Sequence, residues 1–250
     1  RLRFPSLPKI TIPRFPRFTL PHLPRLSHVH FTFLFISILL LLSFYFLILR
    51  SLPSPAQLVT RQQPLTTKIR ARDGTILYKI FKDQNRTLVP LSDIPAYLKQ
   101  ATIAIEDKDF YRHGGFSYRG IFRALTRNLF RHQRQGGSTI TQQLVKNALL
   151  TPEKTFTRKL KEVILAIQVE LLFSKDEILK MYFNEVGYGG TAYGVEEAAQ
   201  MYFDKSVSDV TLAEAALLAG LPAAPTIFSP FGAHPELATS RQSEVLRRLV

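Results

Sequence analysis

The 250 residues are 46% hydrophobic, which is enough apolar material for a buried core and excludes the disordered class. There is no cysteine, so disulfides, thiol catalysis and cysteine-bound zinc are excluded, and the composition suits a domain outside the cytoplasm that needs no disulfide. The net charge of +14 is unevenly placed: residues 1–50 hold seven Lys or Arg and no acid, whereas residues 51–250 hold 26 against 19.

Residues 1–28 carry six basic side chains and a proline every few positions, a pattern that excludes a helix and predicts a disordered basic arm. The stretch FTFLFISILLLLSFYFLIL, residues 31–49, runs 19 residues without a charge. At about 1.5 Å per residue it comes close to spanning a hydrocarbon layer of about 30 Å. A cleaved signal peptide has a shorter apolar region, about 7–15 residues, followed by a small-residue cleavage site that is not seen here. Residues 29–50 therefore read as a retained transmembrane helix. The positive-inside rule puts the arm in the cytoplasm and everything after Arg50 outside, a bias that Arg61, Lys68 and Arg70 weaken without reversing.

A proline-containing linker, residues 51–64, follows. TTKIRARDGTILYKIF alternates around Asp73-Gly74 and predicts a small hairpin near the membrane. From there the pattern is helical. IPAYLKQATIAIEDKDFYR reads as one helix opened by Pro95, YRGIFRALTRNLFRH as a second, TITQQLVKNALL as a third and TFTRKLKEVILAIQVELLF as a long, largely buried fourth. Ser174 with Glu177 and Thr211 with Glu214 have the capping-box spacing, opening KDEILKMYFNEV and LAEAALLAGL. Gly187, Gly189, Gly190 and Gly194 mark a tight connection before VEEAAQMYF. The predicted fold is mainly α: residues 65–235 form one helical domain with a single small β element, and residues 236–250 begin a linker or a following region. The start at Arg1 and the stop at RRLV within a helical pattern read as a fragment of a longer chain.

The run QGGSTITQQLVKN crowds hydroxyl and amide side chains after a glycine pair, and Thr139 with Gln142 has capping-box spacing, so its plain reading is a helix start. Glu106 has apolar neighbours on its N-terminal side, which suggests partial burial, and His113 falls on nearly the same helix face at i+7. An acidic helix end is the ordinary alternative for Glu106, as a structural role is for His113. Glu162 has Arg158 at i−4 and Lys159 at i−3, the spacing of a surface ion pair. Lys146, Lys154, Arg158 and Lys159 together have the charge to grip a diphosphate. Arg119, Arg123, Arg127 and Arg131 recur every four residues as a solvated stripe or a surface for anionic lipid headgroups. Ser6 and Lys9 make an SxxK, set aside because it lies in the proline-rich arm.

In their order, EDKDFYRHGG, GGSTITQQLVKN, RKLKE, KDEILKMYFNEVGYGGTAYGVEEAAQMYF and LAEAALLAGLPAAP resemble the successive signatures of the peptidoglycan glycosyltransferase domain (glycosyltransferase family 51) of class A penicillin-binding proteins and monofunctional murein polymerases. The resemblance covers about residues 65–230 and its motifs are very specific. It implies a lysozyme-like α fold that polymerises lipid II into β-1,4-linked glycan with release of undecaprenyl diphosphate. It implies Glu106 as general base and Glu162 at the donor diphosphate, ordering basic residues or a divalent cation, Mg or Mn. Lys146, Lys154, Arg158 and Lys159 are implied to neutralise the leaving group. Ser138, Thr139, Gln142, Gln143 and Asn184 are implied as substrate contacts, with Asp107, Phe110, His113, Gly115 and Gly137 as motif residues of structural role. The implied partners are lipid II, the growing glycan strand, membrane lipids and proteins of cell wall synthesis or division, with no nucleic acid; the implied place is the bacterial cytoplasmic membrane. The chain departs from the family pattern at Lys154, where Arg is usual, at Lys180, where Glu is usual, and at Asp204, where Gly is usual. A lytic transglycosylase shares the fold type but has no use for a diphosphate-binding basic cluster, and a non-catalytic membrane scaffold has no use for both carboxylates.

Overall fold

The computed structural model describes residues 28–116, 137–153 and 155–250. The basic arm, the expected helix YRGIFRALTRNLFRH with Arg119, Arg123, Arg127 and Arg131, and Lys154 lie outside the described residues. The chain divides into two units, one ending at Tyr45 and one running from Phe46 to Val250. The first holds most of α1 (His28–Leu47), which is apolar on all faces, with side chains such as Phe33 and Leu41 exposed. The span His30–Ser51, 22 residues, is long and apolar enough to cross a membrane.

In the second unit a short α2 (Gln57–Thr60) precedes the expected hairpin, β1 (Thr67–Arg70) paired antiparallel with β2 (Ile76–Ile80). Gly74 takes φ +90°, a conformation open to it because it has no Cβ, and Asp73 Oδ1 accepts from the Thr75 N–H at 2.9 Å. Glu197 ties the hairpin to the helical body: its fully buried carboxylate accepts from Lys68 at 2.6 Å, from Lys79 at 2.9 Å and from Thr87. A buried charge needs such partners.

The helical body comprises α3 (Ala96–Glu106), α4 (Ile140–Leu149), α5 (Phe156–Leu172), α6 (Lys175–Glu185), α7 (Val195–Phe203), α8 (Leu212–Gly220) and α9 (Pro235–Leu249). Three starts carry complete capping boxes, Thr139 with Gln142, Ser174 with Glu177 and Thr211 with Glu214, each N-cap contributing about 1 kcal/mol. α4 packs on α5 and α6, and α3 is sandwiched with α8 and α9. The shared core includes Leu98, Phe110, Leu144, Leu165, Tyr182, Phe183, Leu218 and Val245.

Four features differ from the sequence-based expectation or add to it. The first helix does not run through IEDKDFYR; it stops at Glu106, where Asp107 takes φ −155° and ψ 73°, and only a 3-10 turn follows at Phe110–Arg112. His113 therefore does not share a helix face with Glu106. A second, three-stranded sheet forms in addition to the hairpin: β3 (Asn85–Arg86) pairs parallel with β5 (Ala192–Tyr193), which pairs antiparallel with β4 (Gly187–Gly189), so the glycine-rich connection is itself a small hairpin. Residues Pro235–Leu249 are helix, packed on α3 and α8. Finally, Asp204 sits in the left-handed region, φ 53° and ψ 39°, just past α7. Asp tolerates that conformation less well than Gly, so Asp204→Gly should raise stability by about 0.5–1 kcal/mol, read as a higher melting temperature with unchanged activity. Lys180 is exposed on α6.

Candidate active site

Glu106 is the last residue of α3, and what ends that helix also positions the next one. The Asp107 carboxylate accepts from the N–H of Ile140, the first residue of α4, at 3.1 Å, and contacts His113 Nε2 through both oxygens at 2.9 Å. Phe110 is fully buried, with the Lys175 ammonium 4.5 Å above its ring. Gly115, at φ +78°, passes so close to α5 that an added Cβ would lie 2.6 Å from the Ala166 carbonyl oxygen. Its own carbonyl accepts from the Thr139 hydroxyl at 2.9 Å. EDKDFYRHGG thus folds into a bracket that carries Glu106 at one end and seats the start of α4 at the other. Gly115→Ala should cost at least about 2 kcal/mol, because the clash is with backbone and the φ is positive; a thermal melt reads it.

On α4, Gln143 and Lys146 stand one turn apart on a single face. Gln143 Nε2 donates to Glu106 Oε2 at 2.7 Å, and its Oε1 accepts from the Tyr182 hydroxyl at 3.4 Å. Burial pushes the Glu106 carboxyl above its ordinary value, opposed by the Gln143 hydrogen bond and by the charges of Arg241 and Lys146. Burial pushes the Lys146 ammonium down; Glu162 and Glu106 pull it back up, while Arg158 and Lys159 push it further down. Lys146 therefore feels both carboxylates.

The far side of the site comes from α5. Glu162 is 1% exposed and is paired with Lys159, whose ammonium also donates to Ser138 Oγ at 2.7 Å and lies 3.5 Å from Gln142 Oε1. Arg158 is half-buried, and its Nε is buried with no hydrogen-bond partner among the described residues. Among the described residues, Lys146, Arg158 and Lys159 gather around Glu162, so the cluster carries excess positive charge near the Glu106 carboxylate. Such a site favours a multiply charged anion.

A family model for transglycosylases matches residues 73–250. The chain belongs to the transglycosylase family. Among relatives of this transglycosylase, penicillin-binding protein 1A of Neisseria gonorrhoeae is 46% identical over 200 residues, covering 80% of this chain and 25% of that one. Penicillin-binding protein 1A of Rickettsia bellii is 43% identical over 204 residues, 80% of this chain and 26% of that one. The chain spans about a quarter of the length of these curated relatives. The crystal structure of penicillin-binding protein 1A from Haemophilus influenzae aligns at 26% identity with a TM-score of 0.41, over 77% of this chain and 19% of that one; family membership rests on the sequence matches.

Within this transglycosylase the expected site residues separate into two groups. Glu106, Gln143, Lys146, Arg158, Lys159, Glu162 and Ser138 converge as described. Thr139 and Gln142, 2% and 1% exposed, are engaged with each other in the capping box, so the plain helix-start reading accounts for both. Asn184 is elsewhere: its amide clamps the Val89 backbone, accepting from N–H and donating to C=O at 2.9 Å each, and donates to Lys180 O at 2.9 Å. Gly137 is half-buried just ahead of the Thr139 cap. Among the described residues no group of three His, Cys, Asp or Glu side chains gathers, and the one carboxylate at the basic cluster, Glu162, is paired with Lys159. Glu162 offers one carboxylate, so a divalent cation such as Mg or Mn held there would take its remaining oxygens from a bound diphosphate and from water.

One residue of the site was not anticipated. Arg241 on α9 reaches Glu106, Nη2 to Oε1 at 3.4 Å. A signal for it exists: Arg241 lies three residues after Ala238 and four before Val245, the two buried residues of α9, and so belongs to that helix's inner stripe.

Proposed function

We propose that this transglycosylase polymerises lipid II, with Glu106 as general base. The observation that carries the reading is the Glu106 side chain, 7% exposed and held by Gln143, with Lys146 close enough to feel its charge and that of Glu162, beside Arg158 and Lys159. The 4-hydroxyl of the acceptor N-acetylglucosamine attacks C1 of the donor N-acetylmuramic acid. The new C–O bond forms as the bond from C1 to the diphosphate oxygen breaks on the opposite face, so the anomeric centre inverts to a β-1,4 link. The hydroxyl proton passes to Glu106, whose burial makes it a stronger base than a solvated carboxylate. The electron pair leaves with undecaprenyl diphosphate, whose charge Lys146, Arg158 and Lys159 stabilise as it grows. So stable a leaving group needs no general acid. Glu162 orders the cations, and Ser138 is held by Lys159 where it faces the same anion.

In this reading α1 anchors the chain in the cytoplasmic membrane, with the arm inside and the helical domain outside. The chain would then form the front part of a bifunctional penicillin-binding protein that works with lipid II, the glycan strand and other cell wall proteins. The test of activity is incubation of the full chain in detergent micelles with lipid II. Consumption of lipid II with growth of glycan is expected; no polymer from a folded protein sinks the enzyme reading in favour of a scaffold, and cleavage of added glycan would favour a lytic enzyme. The anchor has its own test: protease applied to the outer face should remove the helical domain and spare the arm, whereas release of a soluble, N-terminally trimmed protein would make residues 31–49 a signal peptide.

A further inference from the structure

We propose that Arg241 is a positioning residue for the base: its guanidinium holds the Glu106 carboxylate ionised and aimed before the acceptor hydroxyl arrives. The inference rests on the reading of Glu106 as general base. Its ground is geometric. Both carboxylate oxygens are engaged, Oε2 by Gln143 at 2.7 Å and Oε1 by Arg241 at 3.4 Å, so the group cannot turn. Arg241 is itself held: its guanidinium lies over the Phe228 ring at 5.4 Å, and its stem runs against α8 at Gly220, where an added Cβ would stand 2.8 Å from Arg241 Cγ. Arg248, two turns along α9, donates to the Ile105 carbonyl at 3.3 Å, so the same helix face grips the end of α3 twice.

A buried carboxylate without a countercharge takes up a proton and ceases to be a base. Among the described residues, the charged and titratable groups facing Glu106 are few. They are Asp107 on its own chain segment, Lys146 on α4, Tyr182 on α6, Tyr188 on β4, and Arg241 and Arg248 on α9. α8, which also packs on α3, has one titratable residue, Glu214, engaged by Lys205 at 2.7 Å. Burial pushes both tyrosines up, so they stay neutral through the working range. Lys146 is pushed down by burial and is shared with Glu162 and the arriving diphosphate. Among the described residues, Arg241 alone combines direct contact with a charge that no accessible pH removes.

The test is the pH–rate profile of lipid II polymerisation by the full chain in detergent micelles, for wild type, Arg241→Met, Arg241→Lys, Gly220→Ala and Glu106→Gln. Loss of a cation this close moves a carboxylate pKa up by about one unit or more, so the acid limb of Arg241→Met should shift to higher pH by that amount. Turnover at the wild-type midpoint should then fall about fivefold or more, with recovery toward the wild-type rate at alkaline pH. Arg241→Lys should return the limb most of the way, and Gly220→Ala, which displaces the Arg241 stem, should move it less but in the same direction. An Arg241→Met profile lowered evenly at every pH, with its limb in place, overturns the inference and leaves Arg241 a packing residue. Should Arg241→Met fail to fold, Gly220→Ala decides, and an unmoved limb there overturns it. A Glu106→Gln enzyme that keeps turning over overturns the base reading itself, whatever Arg241 does.

Discussion

Glu106→Gln should abolish lipid II polymerisation, with turnover down by a factor of about 10² to 10⁴, the contribution of a positioned base. The substitution keeps the shape. A glutamine carbonyl can still accept from Gln143 Nε2, and the neighbouring bracket from Asp107 to Gly115 is untouched. What disappears is the basic oxygen that takes the acceptor proton in the proposed reaction. Stability should change little: the cost of leaving Arg241 without its carboxylate is offset by relief from burying a charge. Lipid II binding should persist, because the cations proposed to meet the diphosphate stand on α4 and α5. The measurement is glycan formation beside a thermal melt and a binding assay with lipid II. Turnover within about tenfold of wild type in a folded protein would remove Glu106 from the mechanism.

Lys146→Ala separates two readings of the stretch that opens α4. As part of a helix start alone, Lys146 would be one more surface charge, and its loss would change neither turnover nor stability by more than about 0.5 kcal/mol. In the structure it is half-buried, pushed down by burial and by Arg158 and Lys159, and pulled up by Glu162 and Glu106. Removing it should relieve that crowding, so the melting temperature should hold or rise slightly. Turnover should fall by about 10² or more, because a cation is lost where negative charge grows in the transition state. Loss of activity at undiminished stability is the signature of a residue kept for chemistry. Normal turnover would return Lys146 to the helix face, and lost turnover with a collapsed melt would make it a structural residue.

Much of this protein could be read locally. The hairpin at Asp73-Gly74, the capping boxes at Thr139, Ser174 and Thr211, and the spans of the later helices depend on side chains within a few residues of one another, and the structure places them where the pattern did. Glu106, Lys146, Arg158, Lys159 and Glu162 stood out as charges in a motif order, and the fold brings them together. Tertiary contacts decided the rest. α3 stops at Glu106 because Asp107 turns to serve the start of α4, 33 residues on, a demand invisible to helix periodicity. β3 finds its partner in β5 across the intervening helices α3 to α6, and two-residue strands leave no alternation to read. Thr139 and Gln142 resemble sugar contacts in the motif, and the fold buries both, pairing them in the capping box while Thr139 also donates to Gly115 and Gln142 lies beside Lys159. Arg241 meets Glu106 over a separation of 135 residues, and only the packing of α9 on α3 turns an arginine on an inner stripe into a partner for the base. Local propensity sets which segments become helices. Which carboxylate is buried, and which charge is left to face it, is settled by how those helices pack.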